Sequence, residues 1–189
     1  MSFTSNDVAN QAIALAGDNI PPVTGYAPTF DLSAAGVALS KLYTPCYQTV
    51  AKQFNWDFTR NVFVLSSTGN TPPFGWTYEY AYPAAAIDIM QIQPASIADV
   101  NTPLPQNWVI GNAVVSGAQT KVIWSNLANA RVVMNNAPSE ATWDVGFREA
   151  MVRLLASELA MALFGKPDIS QGYLESGSAF ESIAETRTG

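Results

Sequence analysis

Residues 75–83 read GWTYEYAYP, in which Trp76, Tyr78, Tyr80 and Tyr82 alternate with Thr77, Glu79 and Ala81 until Pro83 ends the run. A period of two belongs to a strand, because successive side chains leave a pleated chain on opposite faces. The four rings therefore share one face, and the smaller or polar residues share the other. Such an aromatic row has three uses: a core face, a platform on which bases or sugars stack, or a surface covered by another subunit.

The strand pattern extends outward on both sides, from Arg60 to about Asn136. RNVFVLS (60–66), TYEYAY (77–82), AIDIMQIQ (86–93), WVIG (108–111), AVVSG (113–117), KVIWSN (121–126) and RVVMNN (131–136) are rich in β-branched or aromatic residues, and Gly, Pro and Asn fill the gaps. This predicts an antiparallel sheet of several strands.

Beyond both ends the period becomes helical. A first helix is expected over Asn6 to Ala16, with Ser5 as N-cap, Gly17 past its end, and Val8, Ala12, Leu15 and Ala16 on one face. The connector DNIPPVTGYAPTF (18–30) carries Pro21, Pro22, Gly25 and Pro28, which predicts no regular structure. A second helix is expected from about Leu32 to Phe54, kinked or split near Leu42 by Pro45. After Pro138-Ser139-Glu140 comes the strongest helix, with Phe147, Met151, Leu154, Leu155, Leu159, Ala162 and Leu163 in one stripe before Gly165 and Pro167. In the last twenty residues Tyr173, Phe180 and Ile183 can line a weak helix interrupted by Gly172 and Gly177. The expected fold class is α+β in a single domain. A helical bundle of about three to four helices, from about 5–56 and 139–184, carries an inserted antiparallel β-sheet region of about 57–137.

Several chemistries are excluded or left without a motif. The chain has no histidine, which removes the Ser-His-Asp and Cys-His devices and the commonest zinc and iron sites. No Gly-Lys-Ser/Thr occurs, and no GxGxxG follows a strand, so no motif predicts a nucleotide cofactor. Carboxylate-only chemistry stays open, since Asp57 and Asp88 lie next to apolar residues where either can sit at a site. The acids are scattered, however: Asp144, Glu149 and Glu158 fall on or beside one helix, where Glu149 and Arg153 have the spacing of an ordinary pair, and the whole set is expected to be solvated or structural. Cys46 falls in a helical pattern, where a buried thiol is expected. The expectation is a protein that is not an enzyme, with no cofactor and no metal.

Nine basic residues stand against fifteen acidic ones, a net charge of −6, without any cluster of Lys or Arg. A nucleic-acid backbone calls for a positive footprint, so DNA binding is not expected. Only 13% of residues are charged, about half the share usual in a soluble domain. Surface covered by other subunits explains so low a figure. No run approaches the ~18–20 apolar residues that span a bilayer, and the N-terminus lacks a signal peptide's basic region, so a soluble protein that stays where it is made is expected.

One family resemblance adds to this. NWDFTRNVFVLS, a Pro-Pro turn, WTYEYAYP and then IDIMQIQP resemble the signature of the tail tubular protein A family of short-tailed phages, through Trp56, Phe58, Arg60, Leu65, Trp76, Tyr78, Tyr80, Tyr82, Pro83, Ile87 and Ile92. Trp108 with VIGNAVV, and Trp143 and Phe147 opening a long Leu/Ala helix, extend the likeness over nearly the whole chain, although Ala84-Ala85-Ala86 depart from the polar or acidic residue common after the family's Pro. The resemblance implies a head-to-tail adaptor of the virion, a twelve-fold homo-oligomeric ring between the portal protein and the downstream tail nozzle protein, through which genome DNA passes without specific binding. Trp76, Tyr78, Tyr80 and Tyr82 become candidate contacts with a neighbouring subunit, and Tyr173, Phe180 and Ile183 candidate anchors on the portal. The competing expectation is a carbohydrate-binding or glycan-processing tail module, supported by the five Trp and seven Tyr.

Overall fold

The computed structural model describes residues 3–17, 20–53, 56–96 and 108–165. The fold is mixed α and β, and the chain divides into two compact units. One is drawn from the segment up to Phe58 and from Pro138 onward, and the other is Thr59–Ala137.

Among the described residues the first unit has three α-helices: α1 (Ser5–Ala16), α2 (Ala34–Gln53) and α3 (Val145–Phe164). The cap of α1 is Thr4, not Ser5. Thr4 and Asp7 form a reciprocal capping box, in which the Asp7 amide donates to Thr4 Oγ1 at 3.3 Å and the Thr4 amide to Asp7 Oδ2 at 2.9 Å. Ser5 instead accepts from the Ala27 amide at 3.0 Å, tying the helix to the connector.

That connector is more ordered than its prolines imply. Asn6 donates to the Val23 and Gly25 carbonyls, and Asn10 brackets the Val23 backbone, accepting from its amide and donating to its carbonyl. The chain then forms a short hairpin of β1 (Gly25–Tyr26) and β2 (Thr29–Phe30). Gly25 has φ +89, and a Cβ there would meet the Phe30 backbone at 3.2 Å, so glycine is required.

α2 is one helix through Pro45, not two, and it starts at Ala34 because Asp31 and Ser33 organise the turn before it. Pro45 and Lys41, whose carbonyl loses its helical donor, both lie on the exposed face, where water replaces the missing bond. α3 packs against both α1 and α2, so its buried set is wider than one stripe. Val152, Ala156, Ser157 and Ala160 are buried beside Phe147, Met151, Leu155 and Leu159, whereas Ala162 is exposed. Asp144 caps it, and Gly165 ends it in the left-handed conformation.

The second unit holds two three-stranded antiparallel sheets rather than one sheet: β3 (Arg60–Val64), β8 (Ala130–Asn136) and β5 (Ala86–Pro94) in the order β3-β8-β5, and β4 (Tyr78–Ala81), β7 (Ala118–Ser125) and β6 (Trp108–Val115) in the order β4-β7-β6. The segments expected as separate strands at 108–111 and 113–117 form the single strand β6, which turns at Ser116-Gly117 into β7. One apolar cluster joins the sheets: Leu65, Ile89, Ile92, Ala130, Val132 and Met134 from the first side meet Tyr80 and Ile123 from the second. The final segment that carries Tyr173, Phe180 and Ile183 lies outside the described residues.

Candidate functional site

The aromatic row does not act as one platform. Trp76 precedes the strand in a turn and is half-buried. Tyr80 is core: its ring joins the intersheet cluster, and its hydroxyl donates to the Leu127 carbonyl at 2.6 Å. Tyr78 stacks on Tyr80 with ring centroids 6.2 Å apart and keeps about a third of its surface in water. Tyr82 packs on the edge of the cluster, with the Lys121 ammonium 5.5 Å from its ring centroid. Burial, with the Asp88 carboxylate as a second cause, holds the Tyr82 phenol above its ordinary value. A sugar-binding strip needs several rings exposed together, and only Tyr78 of the strand's rings meets that condition.

The opposite face of the strand carries what sequence reasoning missed. Glu79 is buried, although a carboxylate is seldom so unless its oxygens are paired. Its Oε1 accepts from Thr68 Oγ1 at 2.7 Å and from Asn70 Nδ2 at 2.8 Å, and its Oε2 from Trp124 Nε1 at 2.8 Å. Burial pushes the carboxyl up, but the bonds from Trp124, Thr68 and Asn70 together outweigh it and hold the group below its ordinary value. β4 and β7 place Glu79 and Trp124 side by side in register. No spacing in the sequence pairs residues 45 apart.

The Glu79 cluster fastens the loop between β3 and β4. Thr68 also gives its amide to the Glu79 carbonyl, and Asn70 reaches the Val114 carbonyl at 3.1 Å. Farther along, Trp76 N donates to Pro73 O, the Thr77 amide to Asn126 Oδ1, and Asn126 Nδ2 to the Gly75 carbonyl. This pinned turn leaves Phe74 fully exposed. The signal was legible in Pro72-Pro73-Phe74-Gly75, where two prolines and a glycine fix a turn around one large apolar side chain. Phe63, Val64, Val109, Ile110 and Val114 are further exposed apolar residues of this unit.

The helical unit also displays apolar side chains, Leu32, Val145 and Tyr26 being the most exposed among its described residues. Most of its aromatic residues are internal, Tyr26 and Phe164 being exposed, and Phe147 meets Trp143, Trp56, Phe58 and Tyr47 with centroids 4.8, 5.2, 5.2 and 5.6 Å away. Cys46 is buried as expected, and burial, with Glu158 as a second cause, pushes its thiol up to about 12. An open cleft of about 310 Å³ between α1 and α3 is lined by Gln11, Leu15, Val145, Arg148, Glu149 and their neighbours. Among the described residues no three His, Cys, Asp or Glu side chains gather as a metal site, and no helix is long and apolar enough to cross a membrane. No family model matches the chain, and no curated protein is similar enough to it to count as a relative.

Proposed function

We propose that this protein is a structural component of a phage virion, a head-to-tail adaptor that assembles as a ring, twelve-fold, between the portal protein and the tail nozzle protein. The observation that carries this reading is the surface of the β unit. Between Thr59 and Ala137 the chain has six charged residues, of which Glu79 is buried, while Phe74, Val64 and Val114 are largely exposed. A monomer in water seldom leaves that combination uncovered. Contact between subunits accounts for it, and the resemblance to the tail tubular protein A signature supplies the kind of assembly. The charge of the whole chain fits a channel that DNA passes without adhering.

The protein is made in the host cytoplasm and resides at the neck of the virion, and its role is mechanical, with no reaction catalysed. Tyr173, Phe180 and Ile183 serve as anchors on the portal in this scheme. The deciding experiment mixes the full-length protein with its cognate portal and examines the product by negative-stain electron microscopy. Rings of twelve subunits seated on the portal are expected. A protein that never joins the portal, or that binds glycans on an array instead, rejects the reading. Fluorescence anisotropy with duplex DNA at physiological salt is expected to show no submicromolar binding.

A further inference from the structure

We infer that copies of the β unit join head to tail, with the free edge of β6 in one copy taking the β3 edge of the next as an added strand. The inference rests on the reading of this protein as one that assembles with itself, but not on what the assembly does.

The unit has two flanks. β3 and β4 share one of them, because the Leu65 amide donates to the Ala130 carbonyl in the first sheet and, one residue on, the Ser66 carbonyl accepts from the Ala81 amide in the second. The orders β3-β8-β5 and β4-β7-β6 then put β5 and β6 together on the other flank.

Open strand edges are normally blunted by charge, proline, a bulge or a covering segment. The edge of β4 is covered by residues 66–68, through the Ser66 and Thr68 backbones and the bridge between Ser67 and Tyr80. β5 carries two register shifts, Asp88 and a terminal Pro94. β6, WVIGNAVV, has eight residues without charge, proline or register shift.

The backbone of β6 is also oriented for pairing. Ser116 and Gly117, at φ +52 and +84, form the two-residue turn that closes β6 on β7, with Val115 opposite Ala118. Counting back from that bonded pair, Val114, Asn112, Ile110 and Trp108 occupy the alternate pairs, whose N–H and C=O groups point away from β7. The Val114 carbonyl takes the Asn70 amide at 3.1 Å, as this geometry requires. Among the described residues the outward groups of Ile110 and Asn112 have no partner.

The occupant follows from charge and exposure. The residues from Thr59 to Ala137 carry three basic and three acidic groups, so two β units do not repel, whereas the whole net charge of −6 lies elsewhere in the chain. Ile110 and Val114 are 43% and 63% exposed by β6, and Phe63 and Val64 on the opposite flank are 42% and 68% exposed. A twofold contact of β6 with β6 covers one flank and leaves the other bare. A head-to-tail contact covers both with one repeated interface, and it closes into a ring where the rotation allows.

Sedimentation and light scattering on the full-length protein, alone and with portal, test this with Ile110→Lys and Val64→Lys. Val64 is largely open to water, and its variant is expected to match wild type in circular dichroism and melting. Ile110 is 43% exposed opposite the buried Ile123, so its variant is first checked for folding by the same measurements. Each variant alone is expected to lose self-association by at least about tenfold, the worth of a lost interchain backbone bond and its neighbours. A 1:1 mixture is expected to stop at a dimer, since each variant supplies the flank that the other lacks. Asn112→Pro, which removes one outward N–H, replaces Ile110→Lys if that chain fails to fold. Four results overturn the inference: wild type monomeric both alone and on portal, Val64→Lys associating like wild type, the β6 variant doing so, or a mixture that stays monomeric. Val64→Lys rings formed normally on portal reject this interface and leave the adaptor reading intact. A mixed dimer without any portal binding does the reverse.

Discussion

The helical unit and the β unit spend their aromatic residues in opposite ways. In the helical unit four rings, from α2 and the flanking turns, converge on Phe147 of α3, and Trp56 and Trp143 give their N–H groups to the Val50 and Pro138 carbonyls. That unit carries the net charge, and its rings serve stability. In the β unit Tyr80 alone is deeply buried, Tyr78 and Tyr82 are shared between core and surface, and Phe74 contributes nothing to a core. Both units expose some apolar side chains, but only in the β unit are they set among few charges, a combination that suits contact, whereas the charge around the helical unit's ring cluster suits a surface that stays in water.

The contrast is broken most severely at Phe147. Phe147→Ala is expected to destabilise the helical unit by ~3–5 kcal/mol through loss of the ring and the cavity left behind, measured by urea denaturation followed by tryptophan fluorescence. A cost under ~1 kcal/mol shows that the ring cluster is not the core of that unit.

Glu79→Ala is expected to cost ~1–3 kcal/mol, because the Trp124, Thr68 and Asn70 donors lose their buried acceptor. The pH dependence sharpens this. A carboxyl held below its ordinary value stabilises the fold above that value, 4.5 for a glutamate, and the contribution is lost as pH falls through the folded value. Wild type should therefore lose stability below about pH 4.5 more steeply than Glu79→Gln. Equal slopes reject the carboxylate as the group that clamps the loop. In the helical unit Asp31 is held at about 2 by the Ser33 hydroxyl first and the Thr24 and Ser33 amides next, so its smaller, solvent-screened contribution fades between its ordinary 3.8 and about 2.

Tyr80→Phe removes a single buried hydroxyl and is expected to cost ~1 kcal/mol in thermal unfolding. A loss several times larger makes the strand's hydrogen bond to Leu127 a keystone of the sandwich. The smallest change in stability belongs to Phe74→Ser, within ~0.5 kcal/mol. The same substitution should weaken assembly on the portal if the β unit is a contact surface. A large loss of stability with normal assembly inverts the comparison.

Legibility differed between the units. The extent of α1 and the end of α3 were readable because capping chemistry and helical spacing act within a few residues, although Thr4 beats Ser5 as cap because only Thr4 has Asp7 three positions on. At its other end α3 begins at Val145 under the Asp144 cap, after a 3-10 turn over Glu140–Thr142, rather than directly after Pro138-Ser139-Glu140. The connector's hairpin was not legible, since its backbone is held by Asn6 and Asn10 of the preceding helix. The strands were readable as strands. Their division into two sheets was not, because strand order is set by pairs such as β3 with β8, whose members lie about seventy residues apart.

By itself the sequence determined the alternation of helical and strand periods, the poverty of charge between Thr59 and Ala137, the absence of histidine chemistry, and a turn at Pro72-Pro73. These are properties of composition and short spacing, and local sterics are enough to express them. Only the tertiary structure decided that Tyr80 is core while Tyr78 is half free, that Glu79 is buried, and that β6 is the unblunted edge. Each of these depends on which distant segment lies alongside, and a period of two gives every residue a face without saying what covers it.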